Sequence, residues 1–311
     1  MIRGALIERH ADGARADTSD EFRWRSFEPS RLEGLSDAVF GFAITLLVVS
    51  LEVPRNFSEL EDRMRGFLAF AISFAMLVTI WYAQFKYFRR YALHDTTSVV
   101  LNITLLFVVL FYVYPLKFLF GLLVNLYSGH TLGITLPDGA QALGVRQIGG
   151  EVEPVIRGDQ WPRLMQVYAL GYMAIYALFM LMTLHAYRLR DRLELTVLEA
   201  FDTRSEASEH AVLFGVGLIS LLLATIADVS EHRTYAFYAG MLFPLIGPIM
   251  WAHGTFWGRR RRTLRAAITA ERDAGAVPVA PVAIPTVAPV ATPASTPVAM
   301  PESHPAPDPV R

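Results

Sequence analysis

The stretch Leu106-Phe107-Val108-Val109-Leu110-Phe111-Tyr112-Val113 carries no charge through two helical turns, and Leu218-Ile219-Ser220-Leu221-Leu222-Leu223-Ala224 offers a single hydroxyl. A soluble helix needs a polar stripe at a 3.6-residue period, and neither segment has one. The whole chain of 311 residues is 53% hydrophobic and 18% charged, against about 25% charged in ordinary soluble domains. Lipid is the solvent these segments fit, and the chain reads as an all-α integral membrane protein.

Working outward, a bilayer core of about 30 Å asks for about 20 apolar helical residues. Six stretches meet this and predict six transmembrane helices: Gly34–Val53, Met64–Tyr82, Thr97–Leu123, Leu164–His185, Ala211–Ala227 and Tyr235–Trp257. Residues 1–30 read as a polar N-terminal segment without a signal-peptide core, residues 31–265 as the membrane domain. Residues 266–311 turn to Pro, Ala and Val, a composition that cannot bury a core and predicts a disordered tail. The connection 125–163 is long; its Gly149-Gly150 fits either a small hairpin or a flexible loop.

Basic residues set the orientation. Nineteen Arg and Lys fall on the side of both termini, including Arg259 to Arg262, against seven on the other. Both termini are therefore expected in the cytoplasm.

Polar residues inside the spans are the candidates for function, because each costs free energy unless paired or wetted. Asp37 stands in the first turns of span one, beside Ser36. Gln84 near the end of span two and Asn102 early in span three come to a similar depth, so the three predict a buried cluster with Trp81 above it. Such a cluster either lines an ion path or locks three helices together. Phe42, Thr45, Leu46 and Val49 share one face of span one, suited to ordinary packing or to a hydrophobic constriction. Pro115, Pro244 and Pro248 should bend their helices, and Lys117 should snorkel to the headgroups.

Enzyme classes find no support in these residues. The chain has no cysteine, and its eight histidines form no His-x-x-x-His pair of metal-ligand spacing. No nucleophile elbow or phosphate-cradling loop is present. His185, His210 and His253 either converge at the ends of spans four to six or sit separately at the interface. No catalytic residue, cofactor or metal is expected. A net charge of -1 gives no argument for nucleic acid.

Arg31-Leu-Glu-Gly-Leu35-Ser36-Asp37, with the apolar run to Val49, Trp81, His94-Asp95 and Asn102, resembles the transmembrane protein 175 family of lysosomal and prokaryotic potassium channels. The motif of that family is Arg-x-x-x-Phe-Ser-Asp. The resemblance covers residues 31–115 and implies a cation leak channel, with potassium and other monovalent cations as its partners in the bilayer. It further implies a homotetramer whose first helices line the pore, with constriction layers at Phe42, Thr45 or Leu46, and Val49. Arg31, Ser36, Asp37, Trp81 and Asn102 match the framework that braces that helix. Leu35 stands where Phe is usual, Gln84 where His is usual, and Phe42 where Ile is usual. The rival functions are a secondary or proton-coupled transporter, in which Asp37 titrates, and a scaffold that recruits a partner through its Pro-rich tail.

Overall fold

The computed structural model describes residues 22–26, 28–49, 56–57, 60, 64, 67–127, 131–146, 152–230 and 234–275. The expected disordered tail beyond residue 275 and the N-terminal residues 1–21 lie outside them, as does Gly149-Gly150. Among the described residues, seven α-helices and three strands follow in chain order: α1 (Arg31–Val49), α2 (Phe67–Tyr91), α3 (Thr96–Tyr127), β1 (Thr131–Thr135), β2 (Gln141–Arg146), β3 (Val152–Arg157), α4 (Trp161–Arg188), α5 (Val197–Ser230), α6 (Thr234–Met241) and α7 (Ile246–Gly275). The chain divides after Ala267, and the described residues of the second unit, 268–275, are helical.

Among the described residues five helical stretches are long and apolar enough to cross a membrane: α2, α3, α4, α5 and the stretch Tyr235–Glu271. The last of these stretches is made of α6, a 3-10 turn at Phe243–Leu245 and α7. Pro244 and Pro248 fall at that break, as their missing N–H groups require. The first helix differs, because Arg31, Glu33 and Asp37 occupy its opening turns. Pro115 does not interrupt α3, which runs as one helix of 32 residues. The observed helices also outrun the expected spans: α5 has 34 residues and begins at Val197, well before Ala211.

Two side-by-side groups of helices make the membrane unit. α1 packs on α2 and α3, α3 packs on α4, and α4 and α5 lie along one another with α6 against them. The core that joins them is aromatic and aliphatic: Tyr87, Phe88, Tyr91, Leu105, Val109, Tyr112, Tyr168 and Met182 are buried in one cluster. Three of its hydroxyls bond across helices. Tyr91 donates to Thr203 Oγ1 at 2.9 Å, Tyr87 to the Met182 carbonyl at 3.2 Å, and Tyr112 to the Tyr168 carbonyl at 3.1 Å.

The connection between α3 and α4 is neither a bare loop nor one hairpin. It folds into a three-stranded antiparallel sheet in the order β1-β2-β3. The β1–β2 turn closes with Gly139 at φ +81°, a left-handed backbone that suits glycine. The Ala140 amide, joined by Arg157, holds the Asp138 carboxyl below its ordinary pKa against the opposing cost of desolvation. Arg157 reaches it at 2.8 Å from the far strand.

Candidate functional site

Residues of α1 divide cleanly by face. Glu33, Ser36, Phe40, Ala43 and Leu47 are buried at alternating steps of three and four, the spacing of one helical face. Leu35, Asp37, Phe42, Thr45 and Val48 are exposed, and Phe42 keeps 69% of its surface. Leu46 is half-buried, and the Val49 side chain lies outside the described residues. Thr45 turns its hydroxyl onto the Phe42 carbonyl at 2.7 Å. This leaves a largely apolar face that the rest of the described residues do not cover.

The buried face is fastened by polar bonds. Gln84 of α2 donates to Asn102 Oδ1 at 3.1 Å, Asn102 Nδ2 donates to Ser36 Oγ at 2.9 Å, and Ser36 donates to the Leu32 carbonyl at 2.9 Å. All three side chains are buried. Asp37 is not the third member of that cluster. It stays exposed and accepts the Trp81 indole N–H at 2.8 Å. Arg31 is exposed at the helix start. Trp81 is half-buried and stacks on Phe85, with ring centroids 5.6 Å apart.

Both ends of α1 are held as well. At its start Ser30 and Glu33 form a reciprocal capping box: the Glu33 amide donates to Ser30 Oγ at 3.2 Å, and the Ser30 amide donates to Glu33 Oε1 at 3.1 Å. Near its end Lys117 of α3 donates to the Leu47 carbonyl at 3.1 Å, so the ammonium engages α1. Sequence reasoning missed this contact. The available signal was that Lys117 is the only charged residue in α3.

A second polar joint ties the α2–α3 turn to α4. Asp95 accepts the Ser98 hydroxyl at 2.7 Å, the Thr97 amide at 3.2 Å and the His185 ring at 2.9 Å. Burial opposes its charge, but Ser98 and His185 outweigh that and hold the carboxyl below its ordinary pKa. The histidines do not converge. His210 stacks on Phe179 with centroids 5.4 Å apart, and His253 meets Ser208 at 3.1 Å. Among the described residues no group of three or more His, Cys, Asp or Glu could hold a metal ion.

Comparison with known proteins places this geometry. The family profile of the endosomal/lysosomal potassium channel TMEM175 matches residues 31–112, which contain α1, α2 and the Ser36–Asn102 bond. A protein of Marivirga tractuosa named a potassium channel is 37% identical over 243 residues, 78% of this chain and 93% of the relative. This chain belongs to the TMEM175 family. Its relatives are channels and not enzymes. Another, from Chamaesiphon minutus and also named a potassium channel, is 31% identical over 125 residues, covering 35% of this chain and 62% of the relative. The crystal structure of a variant of the potassium channel MtTMEM175, bound to a nanobody–MBP fusion, superposes with a TM-score of 0.63. It is 34% identical, covering 78% of this chain and 98% of that one. The similarity thus extends past the residues 31–115 that carry the motif.

Proposed function

We propose that this protein is a potassium-permeable cation channel that works as a homotetramer, with α1 of each copy lining the pore. One observation carries the reading: α1 buries a polar-bonded face against α2 and α3 and leaves Phe42 69% exposed on the other. An apolar side chain in that state faces either lipid or further copies of the same helix. A ring of such side chains makes a constriction that strips part of an ion's hydration shell and closes by dewetting. The names of the relatives favour this use of the face. Phe42 forms the first layer, Thr45 or Leu46 the next, and Val49 the last. Ser36, Gln84 and Asn102 brace the helix from behind, and Asp37, Trp81 and Arg31 frame its start.

Six crossings follow if α1 joins the five apolar stretches. Its 19 residues span about 28 Å at 1.5 Å per residue, enough for a bilayer core. An even number returns both termini to one side, and the basic residues assign that side to the cytoplasm of a prokaryotic plasma membrane.

Potassium flux into liposomes, with sodium as competitor and Phe42→Ala alongside, tests the reading. Flux that rises in the variant supports a pore lined by α1. Folded protein that conducts nothing, or a variant with unchanged flux and selectivity, overturns it.

A further inference from the structure

Residues 22–26 lie ahead of α1 and run across the ends of three other elements. The Arg25 amide donates to the Arg89 carbonyl at 2.9 Å, at the end of α2. Arg89 answers from its guanidinium to the Ser26 carbonyl at 3.1 Å. Phe22 is buried edge-on against Tyr91, with centroids 5.5 Å apart, and Arg90 covers its ring at 4.7 Å. This short segment is therefore built into the protein.

Its strongest contact is remote. Arg25 grips Glu199 with both arms of its guanidinium, Nη2 to Oε2 at 2.8 Å and Nη1 to Oε1 at 3.2 Å. Only 13% of the Arg25 side chain and 6% of the Glu199 side chain remain exposed. The same carboxylate accepts the Arg23 amide at 3.0 Å and caps α5 through the Thr196 amide at 3.0 Å. The turn between α4 and α5 is shaped to receive the segment: Glu194 adopts φ +49°, uncommon without glycine. There the Leu193 carbonyl accepts Arg25 Nε at 3.2 Å, and the Glu194 carbonyl accepts Arg23 at 3.2 Å.

Packing gives this contact its meaning. α1 touches α2 and α3, whereas α5 packs on α4 and α6. Residues 22–26 join the start of α5 to the chain that enters α1. The interval is short, contains Pro29 with its fixed φ, and ends in the Ser30–Glu33 box. Glu33 in turn lies 3.9 Å from Arg89. A displacement of Arg25 therefore reaches the first turn of α1 with little slack to absorb it.

We propose that residues 22–26 are a strap that positions the pore helix, with Arg25 and Glu199 as its positioning pair, and that it sets how much of the time the pore conducts. This rests on α1 lining the pore. The pair touches no residue of the constriction, so it acts on the tilt of α1 and leaves ion preference alone. Breaking one side of a nearly buried pair strands a charge, and restoring the opposite charge in reverse order relieves it.

The test is a charge-reversal cycle: Arg25→Glu, Glu199→Arg, and both together. Three readouts are taken: potassium flux, the potassium-to-sodium permeability ratio, and the labelling rate of Ala38→Cys on the exposed face of α1. The chain has no cysteine, so the label reports that site alone. Each single reversal should change flux by roughly tenfold and shift labelling, with the permeability ratio held within about twofold; the double should return both toward the parent. Unchanged labelling in the singles, a double as perturbed as the singles, or a ratio that moves with flux overturns the strap. Labelling that shifts and is restored in protein that never conducts supports the strap and removes the channel reading instead. If reversal prevents assembly, Arg25→Lys keeps the charge and loses the fork. Shifted labelling then supports the proposal, and parent-like labelling overturns it.

Discussion

Asn102 donates to Ser36 at 2.9 Å across 66 positions of sequence, fastening α3 to the buried face of α1. Gln84 completes the chain from α2 at 3.1 Å. All three side chains are buried, so removing the central amide leaves the Gln84 amide unpaired and Ser36 bonded to the Leu32 carbonyl alone. A buried group left unpaired costs about 1–3 kcal/mol. Asn102→Ala should therefore lower the melting temperature by more than Ser36→Ala, which removes an end of the chain. Thermal unfolding of both in detergent checks this, and equal losses would contradict the central place of Asn102.

Asp95 supports a pH-dependent joint between the α2–α3 turn and α4. Its carboxyl is held below the ordinary carboxylate value by Ser98 and His185, despite the opposing cost of burial. The unfolded chain therefore binds this proton more readily than the folded one does. The joint is fully stabilising above the unfolded value of about 4 and fades as pH falls through the lower folded value. Asp95→Asn should melt several degrees below the parent at pH 7, and the gap should close in strongly acid buffer. A gap that stays constant with pH would show that the charge on Asp95 is not what stabilises the turn.

Much of this was legible in the sequence, for reasons specific to each element. The apolar run at 106–113 excluded a soluble helix because no periodic polar face interrupts it. Gln84 and Asn102 met because antiparallel spans bring late and early residues to one depth. Asp37 was misplaced in that cluster by a local geometric fact: it follows Ser36 by one residue, and successive helical residues point about 100° apart. Only one of the two can enter the helix interface, and Ser36 does. The three-stranded sheet was half-read, since Thr131–Thr135 and Gln141–Arg146 are short and Gly-containing. The Arg25–Glu199 bridge spans 174 positions, and no local pattern announces a partner that far away.

Gly171 permits a close approach of α3 and α4. A Cβ built there would lie 2.2 Å from the Tyr112 ring. That ring is buried and its hydroxyl is bound to the Tyr168 carbonyl, so it has no room to retreat. Small residues serve such contacts between membrane helices. Gly171→Ala should cost about 1–3 kcal/mol by overpacking, read as a lower melting temperature. Combined with Tyr112→Ala, the two losses should fall well short of additive. Full additivity would mean that the methyl group is absorbed elsewhere.

Lys117 holds α1 near its other end. The C-terminal end of a helix carries the negative end of its dipole and favours a cation. The Lys117 ammonium reaches the Leu47 carbonyl, in the last described turn of α1, at 3.1 Å from the turn after Pro115. A hydrogen bond to a charged donor contributes about 1.5–3 kcal/mol, enough to govern fraying of a helix end. Lys117→Met keeps the stem and removes the donor, so amide exchange over Ala43–Val48 should quicken roughly tenfold or more. Exchange over Ser36–Phe40, held by Asn102, should not change. Lys117→Arg should retain protection because the donor and its charge remain. Uniform loss of protection along α1 would instead mean that Lys117 stabilises the whole helix, and unchanged exchange in Lys117→Met would mean that it does not hold the end at all.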